Sequence, residues 1–188
     1  MRQSDCGVQY PPSRIRDEPL SHGSMPSTLP YQGHFDGHKH LFAQRVYFED
    51  TDFSGVVYHA RYLHFMERAR SDMLTLAGIG QRQVHEAGMG AYAVTAMDLQ
   101  FKRPAHFDDA LLLTSTVEAV RGASVDIFQT VSRDGETLVT AKVTAAFVAP
   151  NGRPARQPKP WIAAFQAILN PHAAEHRGKA SSNHLGTS

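Results

Sequence analysis

Cysteine is almost absent: the 188-residue chain has a single one, Cys6, so no intrachain disulfide can form. A fold held by disulfide staples is excluded, and the composition fits a reducing compartment. An excess of one charge sign is also missing. The chain has 19 basic and 18 acidic side chains, a formal charge of +1, which offers no global basic surface for nucleic acid. No apolar run approaches the roughly 18–20 residues that span a bilayer. The N-terminus, Met1-Arg2-Gln3-Ser4-Asp5-Cys6-Gly7, has charge but no apolar stretch behind it, unlike a secretory signal. These absences predict a soluble cytoplasmic protein with no membrane span.

The first 40 residues are rich in Pro, Ser, Gly and His, with few large apolar groups. They bury too little to offset chain entropy, which predicts a disordered tail over 1–40, with Met25 an alternative start. Residues 171–188 have the same character, which leaves 41–170 as the folded domain.

Within it, Leu41–Phe48 reads as a strand, followed by the turn-rich Glu49-Asp50-Thr51-Asp52-Phe53-Ser54-Gly55. Tyr62, Phe65, Met66, Ala69, Met73 and Leu76 recur at spacings of three and four, predicting a helix over Tyr58–Ala77 that Gly78 and Gly80 stop. A short helix over Gln81–Ala87 precedes four strands: Ala91–Phe101, Ala110–Val120, Ser124–Ser132 and Thr137–Val148. Asp134-Gly135 accepts positive φ and marks a tight hairpin between the last two. Trp161–Leu169 reads as a closing helix. Helices segregated from a mostly antiparallel sheet define an α+β class, with the long helix stripe buried on one face of a curved sheet.

The chemistry concentrates where Asp52 precedes a Gly-containing bend and a helix start. The first N–H groups of a helix have no internal partners and carry partial positive charge. A carbonyl placed there is polarised, and oxyanion charge developing on it is stabilised. An ionised Asp across the bend can attack the acyl carbon or take a proton from water. A thiolate leaves readily, so no strong general acid is required. The bland alternative is an Asp that caps a helix or shapes a turn; Asp50 is read in that structural sense. Tyr58 offers a hydroxyl near the site and otherwise reads as a partly buried wall residue with its OH bonded.

The run Asp50-Thr51-Asp52-Phe53-Ser54-Gly55-Val56-Val57-Tyr58-His59-Ala60-Arg61-Tyr62-Leu63, followed by Phe65-Met66-Glu67-Arg68-Ala69-Arg70, resembles the 4-hydroxybenzoyl-CoA thioesterase family. Within that family it is most similar to the branch of Tol-Pal-associated acyl-CoA thioesterases. Phe101-Lys102-Arg103-Pro104-Ala105, Asp108-Asp109 and Arg121-Gly122-Ala123-Ser124 continue the match over about residues 41–170. The resemblance implies a hot-dog fold, an antiparallel sheet of about five strands wrapped around a long central helix. It implies a homodimer or homotetramer, an acyl-CoA substrate with a short, medium or aromatic acyl group, and no cofactor. It implies Asp52 as the catalytic carboxylate and the His59 backbone N–H facing the thioester carbonyl, with the His59 ring helping to position water or acyl group. Phe53 and Arg61 depart from the family pattern, which often has a small residue at the first position and Asn or Ser at the second.

Glu67 is the rival carboxylate, because some related hot-dog thioesterases use a helix Glu; its structural alternative is an ion pair with Arg61, Arg68 or Arg70. Lys102, Arg103 and Arg121 are candidates for the phosphates of CoA, or else solvated charges. His34, His38 and His40 cluster with Asp36, but a Gly-rich segment outside the core argues against a metal site, and Cys6 is excluded as nucleophile. Two other activities compete. A hot-dog dehydratase or hydratase needs a His and a carboxylate, miscasting His59 and Glu67. A non-enzymatic module would bind acyl-CoA or an acyl-carrier protein.

Overall fold

The structure is a computed structural model, and it describes residues 32–171. Met25, Cys6 and most of both expected tails lie outside these residues. Ten elements follow in order: β1 (His34–Asp36), β2 (Lys39–Arg45), one 3-10 turn (Phe48–Asp50), α1 (His59–Leu76), α2 (Gln81–Glu86), β3 (Ala91–Phe101), β4 (Ala110–Val120), β5 (Ser124–Arg133), β6 (Glu136–Val148) and α3 (Lys159–Ala167). The strands make one six-stranded sheet in the order β1-β2-β4-β5-β6-β3, and every pairing is antiparallel. The sheet wraps α1, the hot-dog arrangement that the resemblance implied. β5 turns into β6 through Asp134 and Gly135, whose φ values of 50° and 81° are those of a tight hairpin turn.

Two expectations are corrected at the N-terminal end. The first long strand was expected over Leu41–Phe48 but stops at Arg45. The Tyr47 N–H donates to Asp50 Oδ2 at 2.8 Å and curls the chain into the 3-10 turn, and Tyr47 and Phe48 are left exposed. Apolar letters alone would have extended the strand. The sheet also has six strands rather than about five, because β1 lies inside the segment expected to be disordered. That segment is held by buried polar bonds: His40 Nε2 lies 2.7 Å from Asp72 Oδ2 on α1, and the Gly33 N–H donates to the same oxygen at 2.9 Å.

α1 buries the predicted stripe of Tyr62, Phe65, Met66, Ala69 and Met73; Leu74 is buried with it, while Leu76 is only partly covered. The core beneath the helix is two apolar clusters. One holds Phe65, Met66, Leu113 and Val131. The other holds Met73, Val117, Ile127 and Phe165. Between them runs a buried polar row: His40 on β2, Ser115 on β4, Gln129 on β5 and Arg70 on α1. His40 and Ser115 are cross-strand partners, as are Ser115 and Gln129. Gln129 Nε2 donates to Ser115 Oγ at 2.9 Å and to the Met66 carbonyl at 3.0 Å, and Arg70 Nη1 donates to Gln129 Oε1 at 2.6 Å. Buried polar groups persist only when bonded in this way.

Candidate active site

The loop before α1 is a miniature hairpin. The Asp52 N–H donates to the Val56 carbonyl at 2.9 Å, the Gly55 N–H donates to the Asp52 carbonyl at 3.0 Å, and Thr51 pairs with Val57. Gly55 has φ +78°, a conformation that costs glycine little and other residues more. The Val57 N–H donates to the Ala105 carbonyl at 2.8 Å and the Tyr58 N–H to the Asp50 carbonyl at 2.9 Å. The hairpin is thereby docked on the segment after β3 and delivers the chain directly into α1.

Asp50 holds this loop, as expected of it. Its carboxylate is buried and accepts from the Tyr47 N–H and from Arg61 Nε, the latter at 2.7 Å. Arg61, one of the two departures from the family pattern, is therefore the loop's anchor on the helix. Asp52 is exposed at the base of the bend. Its Oδ1 accepts from Ser54 Oγ at 2.5 Å and from the Ser54 N–H at 2.8 Å. These bonds, the hydroxyl's first, hold the carboxylate below its ordinary pKa, so Asp52 is ionised at neutral pH. Phe53, the other departure, is fully exposed beside it.

His59 is the first residue of α1. The helix has no side-chain cap and no acidic residue in its first turn. The Arg61 N–H is bonded to the Tyr58 carbonyl at 2.8 Å, whereas the N–H groups of His59 and Ala60 carry no bond among the described residues. His59 lines a cleft of about 260 Å³ with Val57, Tyr62, Phe101, Lys102 and Arg103. Tyr62 forms its floor, its hydroxyl accepting from the Ala105 N–H at 2.9 Å. Tyr58 is corrected: it is 47% exposed, its ring lies 4.3 Å from that of His59, and its hydroxyl has no partner among the described residues.

Lys102 and Arg103 are brought to the His59 cleft, where Arg103 pairs with Glu136. Arg121 is not. It sits at the opposite end of the sheet, in the β4–β5 turn, and donates two hydrogen bonds to the Asp126 carboxylate, at 2.8 and 2.6 Å. Glu67 is also elsewhere. It lines a second cavity, of about 110 Å³, beside Arg70, Ser71, Leu74 and Tyr92. The expected ion pair of Glu67 with a helix arginine is replaced by a bond from Ser71 Oγ, at 2.6 Å. His59 and Glu67 thus face different cavities of the chain, so one chain does not assemble the His–carboxylate pair of a dehydratase. Of the His cluster, His40 turns inward to Asp72, while His34 and His38 stay exposed.

Sequence reasoning passed over Arg70, Gln129, Ser115 and the His40–Asp72 pair. A signal was present. Arg70 sits on the apolar stripe of α1, between Met66 and Met73. Ser115 and Gln129 occupy inward positions of β4 and β5, between Leu113 and Val117 and between Ile127 and Val131.

Residues 46–169 match the thioesterase-like superfamily. The chain is 39% identical over 128 residues to the acyl-CoA thioesterase YbgC of Haemophilus influenzae, covering 68% of this chain and 94% of that one. A probable thioesterase from Bartonella henselae is 40% identical and superposes with a TM-score of 0.61, over 64% of this chain and 99% of that one. The 4-hydroxybenzoyl-CoA thioesterase of Pseudomonas sp. strain CBS-3, at 21% identity, shares the fold with a TM-score of 0.62, over 67% of this chain and 98% of that one. The chain belongs to the thioesterase-like superfamily, as a hot-dog thioesterase of the YbgC-like branch. Among the described residues, no helix is long and apolar enough to cross a membrane.

Proposed function

We propose that this enzyme hydrolyses acyl-CoA thioesters to the free acid and CoA, with Asp52 as nucleophile or general base. The thioester carbonyl sits against the unbonded N–H groups at the start of α1, those of His59 and Ala60, which take up oxyanion charge. As general base, Asp52 removes a proton from water while the water oxygen bonds to the acyl carbon. The C–S bond then breaks, and the thiolate takes the proton to leave as CoA thiol. As nucleophile, Asp52 bonds to the acyl carbon while the C–S bond breaks and CoA leaves as the thiolate; water then opens the acyl anhydride to the free acid and the Asp52 carboxylate, and the proton released goes to the thiolate. The reading is carried by two features on adjoining segments: free amides at the start of α1, and an ionised, exposed carboxylate that Ser54 holds in the bend before it, outside the residues that line the His59 cleft.

Lys102, beside the cleft and without an ion pair among the described residues, contacts a phosphate of CoA, with Arg103 as the second cation. Asp52 is exposed in the single chain and does not line the His59 cleft; a second copy packed against it would enclose the carboxylate. The open edge of the 11-residue strand β3 is the surface available for such pairing. A homodimer is therefore the expected working unit.

Asp52→Asn is the direct test. Thiol release from an acyl-CoA panel is expected to fall by about 10²–10⁴-fold, with an unchanged circular-dichroism spectrum and melting temperature. Full turnover in that variant would remove Asp52 from the chemistry.

A further inference from the structure

We propose that the cavity between α1, α3 and the β3 side of the sheet binds a free short-chain carboxylate, its charged end on Arg70 and its tail against the apolar walls. This ligand is a separate molecule from any thioester. The cavity and the His59 cleft have no lining residue in common, and Arg70 lies eleven residues along α1 from His59, about 16 Å. The site therefore stands whether or not the chain hydrolyses acyl-CoA.

Arg70 is a buried cation without a counter-charge. It is 9% exposed, and among the described residues it forms no ion pair. Its single hydrogen bond there runs from Nη1 to Gln129 Oε1 at 2.6 Å, a neutral acceptor. Nε and Nη2, the two nitrogens along one edge of the guanidinium, are left without an acceptor. Neither is sealed from solvent, because the only side-chain nitrogen or oxygen fully buried without a partner, among the described residues, is His40 Nδ1. Arg70 lines the cavity, where this edge meets a ligand. One N–H from each nitrogen matches the two oxygens of a carboxylate. Burial pulls the Arg70 pKa down, and only the charge of Glu67 opposes this. A buried charge without a counter-ion is costly, and an anion placed against it removes much of that cost.

The surroundings select the class of anion. Gln129 donates through Nε2 to the Met66 carbonyl and to Ser115 Oγ, so its amide oxygen is fixed toward Arg70 and holds the guanidinium in place. The hydroxyls of Ser71 and Tyr92 are already engaged, with Glu67 and Gln157. Leu74, Val94, Ile127 and Phe165 make apolar walls. A phosphate or sulfate would set oxygens against those walls without donors, whereas the hydrocarbon tail of a carboxylate contacts them. The volume, about 110 Å³, has room for about four water-sized groups. That fits a carboxylate with a tail of two or three carbons and excludes a long fatty acid. Glu67 opposes an anion, but it is exposed and bonded to Ser71, so solvent screens it.

The test is calorimetric titration of the full chain with sodium butyrate. A Kd of about 1 mM is expected for so small a ligand, with a rise in melting temperature at saturation. Butyramide, the uncharged analogue, and octanoate, which is too long, should each bind at least about 10-fold more weakly. Arg70→Met is expected to weaken butyrate by about 10- to 100-fold, and Arg70→Lys by an intermediate factor. Val94→Phe, at a wall position that is 48% exposed and so spares the core, should also weaken it. Wild-type affinity in Arg70→Met, equal binding of butyrate and butyramide, tighter binding of octanoate, or no butyrate binding up to about 50 mM each overturns the site. Should Arg70→Met not fold, the wild-type comparison of butyrate with butyramide decides, together with Val94→Phe. None of these measurements reads thiol release, so their failure leaves the thioesterase reading standing.

Discussion

Arg61 reaches back from α1 to Asp50, its Nε and Nη2 each 2.7 Å from the same carboxylate oxygen. The pair joins the loop that bears Asp52 to the helix that bears the free amides. Loop and helix thus keep one spacing, which two independently mobile segments would not.

Removing Asp50 is expected to be costly. The carboxylate is buried, and Asp50→Ala leaves the Arg61 guanidinium and the Tyr47 N–H without it. Urea unfolding should show a loss of about 3 kcal/mol, with turnover falling further than stability explains because the loop no longer holds Asp52 in place. A stability change near zero would mean that the loop is held by its backbone bonds alone.

With Asp52 in its proposed role, Ser54 sets the acid limb of the reaction. Its hydroxyl and N–H hold the Asp52 carboxylate below its ordinary pKa, so the ionised form survives to lower pH than in a free side chain. Wild-type kcat/KM should stay flat from neutrality down to about pH 5. Ser54→Ala raises the pKa and moves the acid limb upward. An unmoved limb would assign that limb to another group.

His40 makes stability fall on acidification. Burial lowers its pKa, outweighing the opposing pull of Asp72, and His34 acts in the same direction as burial. The unfolded chain therefore binds a proton more readily than the folded one between the unfolded value of about 6.5 and the lower folded value. In that window unfolding free energy drops as pH falls, by at most about 1.4 kcal/mol per pH unit. Urea midpoints at pH 7.5 and 5.5 should differ in the wild type, and less so in His40→Phe. Equal differences in the two proteins would exclude His40 as the source.

Gln129→Leu tests the polar row. The substitution strips Arg70 of its one acceptor among the described residues and leaves the Met66 carbonyl and Ser115 hydroxyl short of a partner. A loss of about 2–3 kcal/mol is expected by chemical denaturation. Combined with Arg70→Met, which removes the stranded charge, the loss should be less than additive.

Much of this architecture was legible because it rests on local periodicity. The stripe on α1, the full extents of β3 and β4, and the Asp134-Gly135 turn follow from spacing and turn chemistry. The start of the sheet was not, because β1 is short, polar and fixed by the remote Asp72. The end of β2 was misread because a side-chain bond from Asp50 overrides the strand propensity of Tyr47 and Phe48. At the site, Asp52 and His59 stood out as neighbours in sequence. Lys102 joined the His59 cleft, and Arg121 did not, for a reason only the strand register supplies: Phe101 pairs with Val139, whereas Ser124 pairs with Ala146, toward the other end of β6. Arg70 was read as a partner for Glu67 although its place on the apolar stripe marked it as buried, because its acceptor Gln129 lies 59 residues away in the chain.

The open edge of β3 also bears on how the protein behaves in the test tube. Its only irregularity is a bulge beside Thr95, and apart from Asp98 the strand has no charged side chain to deter an incoming strand. A preparation in which that edge is left uncovered is primed to stick to itself. Shelf life and tolerance of concentration should therefore track the fraction of chains whose edge is capped, well before any loss of secondary structure is seen.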